Sequence, residues 1–276
     1  MTLFQRLILG DSRLVLEKID DSSVHLVITS SPYWKIKDYN ENPNQIGYNQ
    51  TYEDYIADLT QVWKECFRVL RDGCKMVINI GDMFLSAEKY GRYRIIPIHA
   101  DIITSCMKLG FDYMGVIIWD KATNISTSGG GSWLGSTYYP RDGGVWQNFE
   151  YILIFKKIGT SPTFTEDQKK RSRLTKKERT DFFRYRWTFS GAKQLDHPAP
   201  FPLELPKRII KMFSFYGETV LDPFLGSGTT LQACKLLGRS GIGIEIDKSY
   251  VPIIKKKVNW GISDILNKVE YELLRP

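Results

Sequence analysis

The sequence predicts an α/β fold, a doubly wound sheet with helices on both faces. Three observations carry that prediction. Short apolar runs alternate with amphipathic helical stretches through most of the 276 residues. One such run, Thr219-Val220-Leu221, breaks at Asp222-Pro223 and passes through Phe224, Gly226, Ser227 and Gly228 into a helical stretch opening at Thr229-Thr230. A further run, Gly241 to Asp247, follows it and sets Glu245 at a strand tip. A strand, a glycine loop and a helix start together aim free N–H groups at a ligand, and an acid at the next strand tip commonly accepts from ribose hydroxyls. The pair points to an adenosine-type ligand.

In chain order, residues 3–9 read as a strand ending at Gly10-Asp11, and Ser12–Ile19 as a helix. Val24–Thr29 is a continuous apolar run of the kind buried in a parallel sheet. It ends in Ser30-Ser31-Pro32-Tyr33-Trp34, a loop with two aromatics at the place where α/β folds put their sites. The plainer reading of Tyr33 and Trp34 is packing in a lid. Residues 35–50 form a loop. Tyr52–Leu70 is a helix with Tyr55, Leu59, Val62, Trp63, Phe67 and Leu70 on one face. Lys75–Ile80 is a strand and Ile95–Leu109 a helix; Phe111–Trp119 and Phe149–Phe155 are strands, with a long loop between them rich in Gly, Ser, Tyr and Trp. Thr175–Phe183 reads as helical, Phe189–Phe201 as an irregular link, and Pro202–Phe213 and Ser249–Lys257 as helices. Beyond Asn259 the pattern is silent.

Composition limits the class. Apolar content of 42% and charged content of 25% are those of a soluble globular protein. There is no apolar run long enough to cross a bilayer and no signal core at the N-terminus, and the four scattered cysteines read as reduced buried thiols, so a cytoplasmic protein is expected. The three histidines show no metal-ligand spacing. Lys156 to Trp187 carries eleven basic and four acidic residues, which is the whole of the chain's net charge of +7. Such a local excess favours a polyanion, with Lys169, Lys170, Arg171 and Arg173 as phosphate contacts; an exposed basic face without function is the alternative. In the long loop, Trp133, Tyr138, Tyr139, Arg141 and Trp146 suit stacking on bases and gripping phosphate.

With a site motif near the N-terminus and a cofactor loop near the C-terminus, the chain resembles the amino-methylating DNA methyltransferases, in the circularly permuted group of cytosine-N4 type. Asp222-Pro-Phe-Leu-Gly-Ser-Gly-Thr-Thr230 is similar to that family's cofactor motif, and Ser30-Ser31-Pro32-Tyr33 to its target-amine motif, with Ser31 in place of the usual first Pro. Val62–Gly73, Asn79-Ile-Gly-Asp82 and His197-Pro-Ala-Pro-Phe-Pro202 also match. The resemblance implies a Rossmann-like methyltransferase sheet plus a small variable DNA-recognition region. Residues 1–157 then form the catalytic half, 158–189 the variable basic segment and 190–276 the cofactor half of the same domain.

It also implies S-adenosylmethionine as cofactor, double-stranded DNA as substrate and a cognate restriction endonuclease as partner. Ser30, Ser31, Pro32 and Tyr33 would be catalytic, and Trp34 would line the base pocket against DNA. Asp11, Phe201, Asp222, Pro223, Phe224, Gly226, Ser227, Gly228, Thr229, Thr230 and Glu245 would hold the cofactor, with no metal. Ring-carbon methylation is not implied, because no cysteine follows a proline. Adenine N6, a protein glutamine or RNA base, and a DNA-binding subunit without methyl transfer remain open as alternatives.

Overall fold

The structure, a computed structural model, describes residues 2–34, 44–121, 141, 145, 147–191, 201–262 and 268–275. The first strand, β1 (Leu3–Leu9), is followed by the one-turn helix α1 (Ser12–Val15) and by β2 (Val24–Ser30). Helix α2 (Tyr52–Val69) starts at Thr51, whose hydroxyl accepts from Asp54 N–H, and buries Tyr55, Leu59, Val62, Trp63, Cys66 and Val69 along one face. Next come β3 (Leu70–Ile80), β4 (Met83–Leu85), α3 (Ala87–Tyr90), β5 (Arg94–Ile96), α4 (Ile98–Lys108), β6 (Phe111–Asp120) and β7 (Phe149–Lys157). The chain continues through α5 (Glu166–Ser172), α6 (Lys176–Phe182), β8 (Arg186–Thr188) and α7 (Glu204–Phe213). It ends with β9 (Thr219–Asp222), α8 (Thr229–Leu237), β10 (Ser240–Glu245), α9 (Val251–Val258) and β11 (Val269–Leu274).

Nine strands make one sheet in the order β11-β1-β10-β9-β2-β3-β7-β6-β8. Within it, β7 runs against its neighbours, pairing antiparallel with both β3 and β6, and the other pairs are parallel. Residues of β2 and β3 alternate between two cores. Val27, Met76 and Ile78 pack with α1, α2 and α4, whereas Leu26, Ile28 and Val77 pack with α7 and α8. Burial on both faces explains why β2 and β10 read as continuous apolar runs. A smaller cluster joins Leu7, Leu225 and Leu231 to Ile254 and Val258 of α9.

The architecture positions the site. From β9 the chain crosses to β10 on one side, and from β2 it crosses to β3 on the other. The β9/β2 pair is therefore the topological switch point, where ligands bind outside the carboxyl ends of parallel strands. One expectation needs correction, and three further elements lie where the sequence pattern is silent. The helix expected from Ile95 begins at Ile98, because Pro97 separates the short strand β5 from it. The segment before α6 contains a helix, α5, with a capping box between Thr165 and Gln168. Between α6 and the link that starts at Phe189 runs strand β8, laid along β6. The tail holds β11, which pairs parallel with β1 from Leu3↔Val269 to Ile8↔Leu274.

Candidate active site

At the carboxyl edge of the sheet lies a cleft with about 850 Å³ of empty space, open to solvent. The ends of β1, β2, β9 and β10 bring Asp11, Ser30, Pro223 and Glu245 to its wall, although they are distant in sequence. Pro32, Phe201, Phe224, Gly226, Ser227 and Thr229 also line it, as do Ile246 and Asp247. The chain turns from β9 into α8 through Gly226 (φ 56°) and Gly228 (φ 86°), a backbone that side-chain-bearing residues avoid. Helix α8 begins at Thr229 with Gly228 as its N-cap and no side-chain cap. Its first N–H groups are thus left for another acceptor.

Asp222 works from beneath this loop. It is fully buried, and Thr29 Oγ1 (2.8 Å), Thr230 Oγ1 (2.5 Å) and Phe224 N–H (3.0 Å) all donate to its carboxylate. Burial pushes its pKa up to about 6 against the opposing pull of those donors. The Thr29 bond crosses the switch point and ties the target strand to the cofactor strand. Asp222 and Thr230 are not part of the cleft wall; they hold the loop together. Gly228 also departs from expectation, since a Cβ there would meet Ile254 of α9 at 3.1 Å rather than project into the cleft.

Glu245 is nearly buried and bridges two backbone segments. Gly226 N–H donates to Oε2 (2.7 Å) and Asp247 N–H to Oε1 (2.9 Å). Burial raises its pKa to about 7, and the two N–H groups oppose that rise. At the end of the neighbouring strand β1, Asp11 caps α1 and pairs with Arg13 (2.6 Å), which also reaches Asp58 and the Asn44 carbonyl. Gln50 donates to Asp58 (2.7 Å) and accepts from Gly47 N–H (2.6 Å), so residues 44–50 are fastened over the cleft.

Ser30 ends β2 opposite Asn79 in register. Asn79 Nδ2 donates to Glu150 Oε2 (2.6 Å) and, at 3.4 Å, to Ser30 Oγ. Lys121 pairs with the other oxygen of Glu150. The carboxylate decides which way the Asn79 amide faces, and leaves its Oδ1 buried without a partner among the described residues. Tyr33 stands half-buried beside Gly81, and the Pro32 carbonyl accepts from Tyr55 Oη at 2.8 Å. Sequence reasoning quoted Asn79 only within a motif and missed Glu150 and Lys121, which lie too far along the chain for any spacing to reveal.

Two groups of proposed DNA contacts are placed elsewhere. Trp34 is only 6% exposed; its Nε1 donates to the Gln50 carbonyl (2.9 Å) and its ring meets Tyr52 edge-on. It is a packing residue. The exposed helix α5, carrying Lys169, Lys170 and Arg171 and ending at Arg173, lies against Tyr216, just before β9 begins. Tyr216 N–H donates to Ser172 (2.7 Å), Gln168 donates to the Tyr216 carbonyl (2.9 Å), and Arg171 stacks on the Tyr216 ring. The basic cluster therefore sits at the opposite edge of the sheet from Ser30 and Glu245. Arg141 is exposed. Trp133, Tyr138, Tyr139, Trp146 and His197 lie outside the described residues, yet the loop carrying all but His197 leaves β6 and enters β7 at the carboxyl edge.

Residues 24–256 match the family model described as DNA methylase, of the N6/N4 type. The chain belongs to the N6/N4 DNA methylase family. It is 38% identical to the type II methyltransferase M.MjaI of Methanocaldococcus jannaschii over 94% of this chain and 92% of that one. M.MthZI of Methanothermobacter thermautotrophicus, another type II methyltransferase, is 34% identical over 88% of this chain and 74% of its own length. Among solved structures, TTHA0409 of Thermus thermophilus, complexed with S-adenosyl-L-methionine, aligns with a TM-score of 0.76 and 38% identity, covering 97% of this chain and 99% of that one. The cytosine-N4-specific PvuII DNA methyltransferase aligns with a TM-score of 0.67 at 19% identity, over 97% and 90% of the two chains, a likeness of fold.

The methylase uses S-adenosyl-L-methionine, and the cleft fits it. An uncapped helix start and hydroxyls suit a carboxylate, Glu245 suits a pair of ribose hydroxyls, and Phe201, Phe224 and Ile246 offer apolar surface to a purine. Among the described residues no group of His, Cys, Asp and Glu is arranged to hold a metal ion, and no helix is long and apolar enough to cross a membrane.

Proposed function

We propose that this methylase modifies the exocyclic N4 amine of a cytosine flipped out of duplex DNA, as the modification half of a type II restriction–modification pair. The observation that carries the reading is Ser30, a hydroxyl rather than a carboxylate, on the cleft wall at the switch point. The type II relatives support the restriction setting, with an endonuclease of the same recognition sequence as partner.

When bound, the cofactor supplies a methyl group made electrophilic by its sulfonium. The protein must make a poor nucleophile competent, because the amine's lone pair is delocalised into the ring. Ser30 Oγ and the Ser31 carbonyl accept the two amine hydrogens, which favours a pyramidal nitrogen and frees the lone pair for in-line attack. Asn79 occupies one side of Ser30 Oγ and leaves a lone pair for the amine. Glu150 and Lys121 hold Asn79 in that orientation. Tyr33 offers a stacking face to the flipped base, and Pro32, held through Tyr55, keeps the loop rigid. Much of the rate comes from positioning. In this reading Arg141, exposed between β6 and β7, faces the DNA, and the basic helix α5 does not.

Incubating DNA with the methylase and labelled cofactor, then identifying the modified nucleoside by mass spectrometry, tests the proposal. N4-methylcytosine is expected; N6-methyladenine would replace the base assignment while leaving the amine chemistry in place.

A further inference from the structure

One side chain at the polar corner of the cleft, Lys257, belongs to none of the motifs. Helix α9 carries Lys257 to the outside of the glycine loop, where its Nζ donates to Ser227 Oγ (2.6 Å) and Thr229 Oγ1 (3.2 Å). Both hydroxyls belong to residues on the cleft wall, each more than nine-tenths buried. We infer that Lys257 is a positioning residue that sets these two hydroxyls to donate to the carboxylate of S-adenosyl-L-methionine.

An ammonium has three donors and no acceptor, so both hydroxyl oxygens must accept from Lys257. Each hydroxyl keeps its own proton to give away. The two oxygens stand 3.5 Å apart, at the limit for bonding to one another. A buried hydroxyl proton calls for an acceptor, and the open direction is the cleft. The uncapped first turn of α8 adds backbone N–H groups and the positive end of a nine-residue helix at the same corner. Asp11, Glu245 and Asp247 also line the cleft, and Glu245 accepts from Gly226 N–H of the same loop (2.7 Å). A ligand that offers a carboxylate to the helix start and hydroxyls and a diol to Glu245 matches these groups.

The contrast between two ligands tests this. S-adenosyl-L-methionine has the carboxylate; 5′-methylthioadenosine shares the adenosine and lacks the amino-acid end. Dissociation constants for both are measured by calorimetry, with competition for the weaker ligand, on the wild type, Lys257→Met and Lys257→Arg. The loss of an oriented, charge-assisted corner should weaken S-adenosyl-L-methionine roughly 10-fold in Lys257→Met, leave methylthioadenosine within about 2-fold, and be largely restored in Lys257→Arg. In a Ser227→Ala, Thr229→Val background the Lys257→Met effect should vanish. Equal weakening of both ligands would mean that Lys257 only braces the loop, and no change in either would mean that the hydroxyls need no orienting; both outcomes overturn the inference. If Lys257→Met does not fold, Lys257→Gln, which keeps a donor without charge, reads the same contrast.

Discussion

Asp222→Asn probes whether the cofactor loop is built on a buried charge. In the wild type the carboxylate is fully buried, and its pKa rises from 3.8 to about 6 on folding. A carboxyl whose folded pKa is raised contributes most below its unfolded pKa, and that contribution is lost as pH rises through the folded one. A shift of about two units costs about 3 kcal/mol once the group is ionised, at about 1.4 kcal/mol per unit. Asparagine is neutral at every pH. Its oxygen can still accept from Thr29 and Phe224 N–H, and its amide can donate to Thr230, whose hydroxyl reverses to accept. The variant should therefore match the wild type near pH 4 and exceed it by up to about 3 kcal/mol at pH 8. With an unfolding entropy of about 2.1 cal/mol/K per residue, that is a Tm higher by about 5 °C for a chain of this length. Scanning calorimetry of cofactor-free protein from pH 4 to 8 measures it. A Tm difference that does not change with pH, or an asparagine variant less stable at pH 8, would refute the account of Asp222 as a strained charge.

Ser30→Ala should lower the single-turnover rate roughly 10- to 1,000-fold, with DNA and cofactor affinities nearly unchanged, because the lost bond strengthens in the transition state. Glu150→Gln should slow the same step less, and not at all in the Ser30→Ala background; additive losses would separate Glu150 from Ser30. Glu245, raised from 4.5 to about 7 by burial, becomes neutral as pH falls, so cofactor affinity measured by calorimetry should weaken from pH 8 to pH 6. A flat profile would take Glu245 out of the ribose contact. Neutralising Lys169, Lys170 and Arg171 together should leave the salt dependence of DNA binding unchanged, since α5 lies at the opposite edge of the sheet from Ser30; a slope flattened by about one per charge would return it to the interface.

The parts of the site legible in the sequence were those whose signal is local. Gly226 and Gly228 mark a turn between an apolar run and a helix, so the loop and the Glu245 strand tip could be placed from spacing alone. Ser30 was legible because a buried strand stops at it. Trp34 was misplaced because a tryptophan after a strand looks the same whether it lines a pocket or packs beneath Gln50. The place of the basic cluster is not legible, because charge shows what a segment attracts but not which edge of the sheet it occupies. Glu150 and Lys257 were invisible because each acts on a residue 71 or 30 positions away through a single side chain. Strand β11 was missed since its alternation is short and partly charged, and only pairing with β1 gives it a place.

That pairing has a consequence for how the enzyme is made. Among the described strands, β1 is made before all the others, yet it lies between β10 and β11, which are made after them. Its backbone bonds join residues more than 230 positions apart in sequence. The wall of the cleft formed by Asp11 and Glu245 therefore cannot close until β10 has been made, and β1 waits through the synthesis of more than 230 residues with its edges unpaired. Contacts of such long range fold slowly and leave strand edges open to aggregation. Overexpression should accordingly trap newly made chains as aggregates more readily at high synthesis rates than at low ones, and slowing translation should raise the soluble yield.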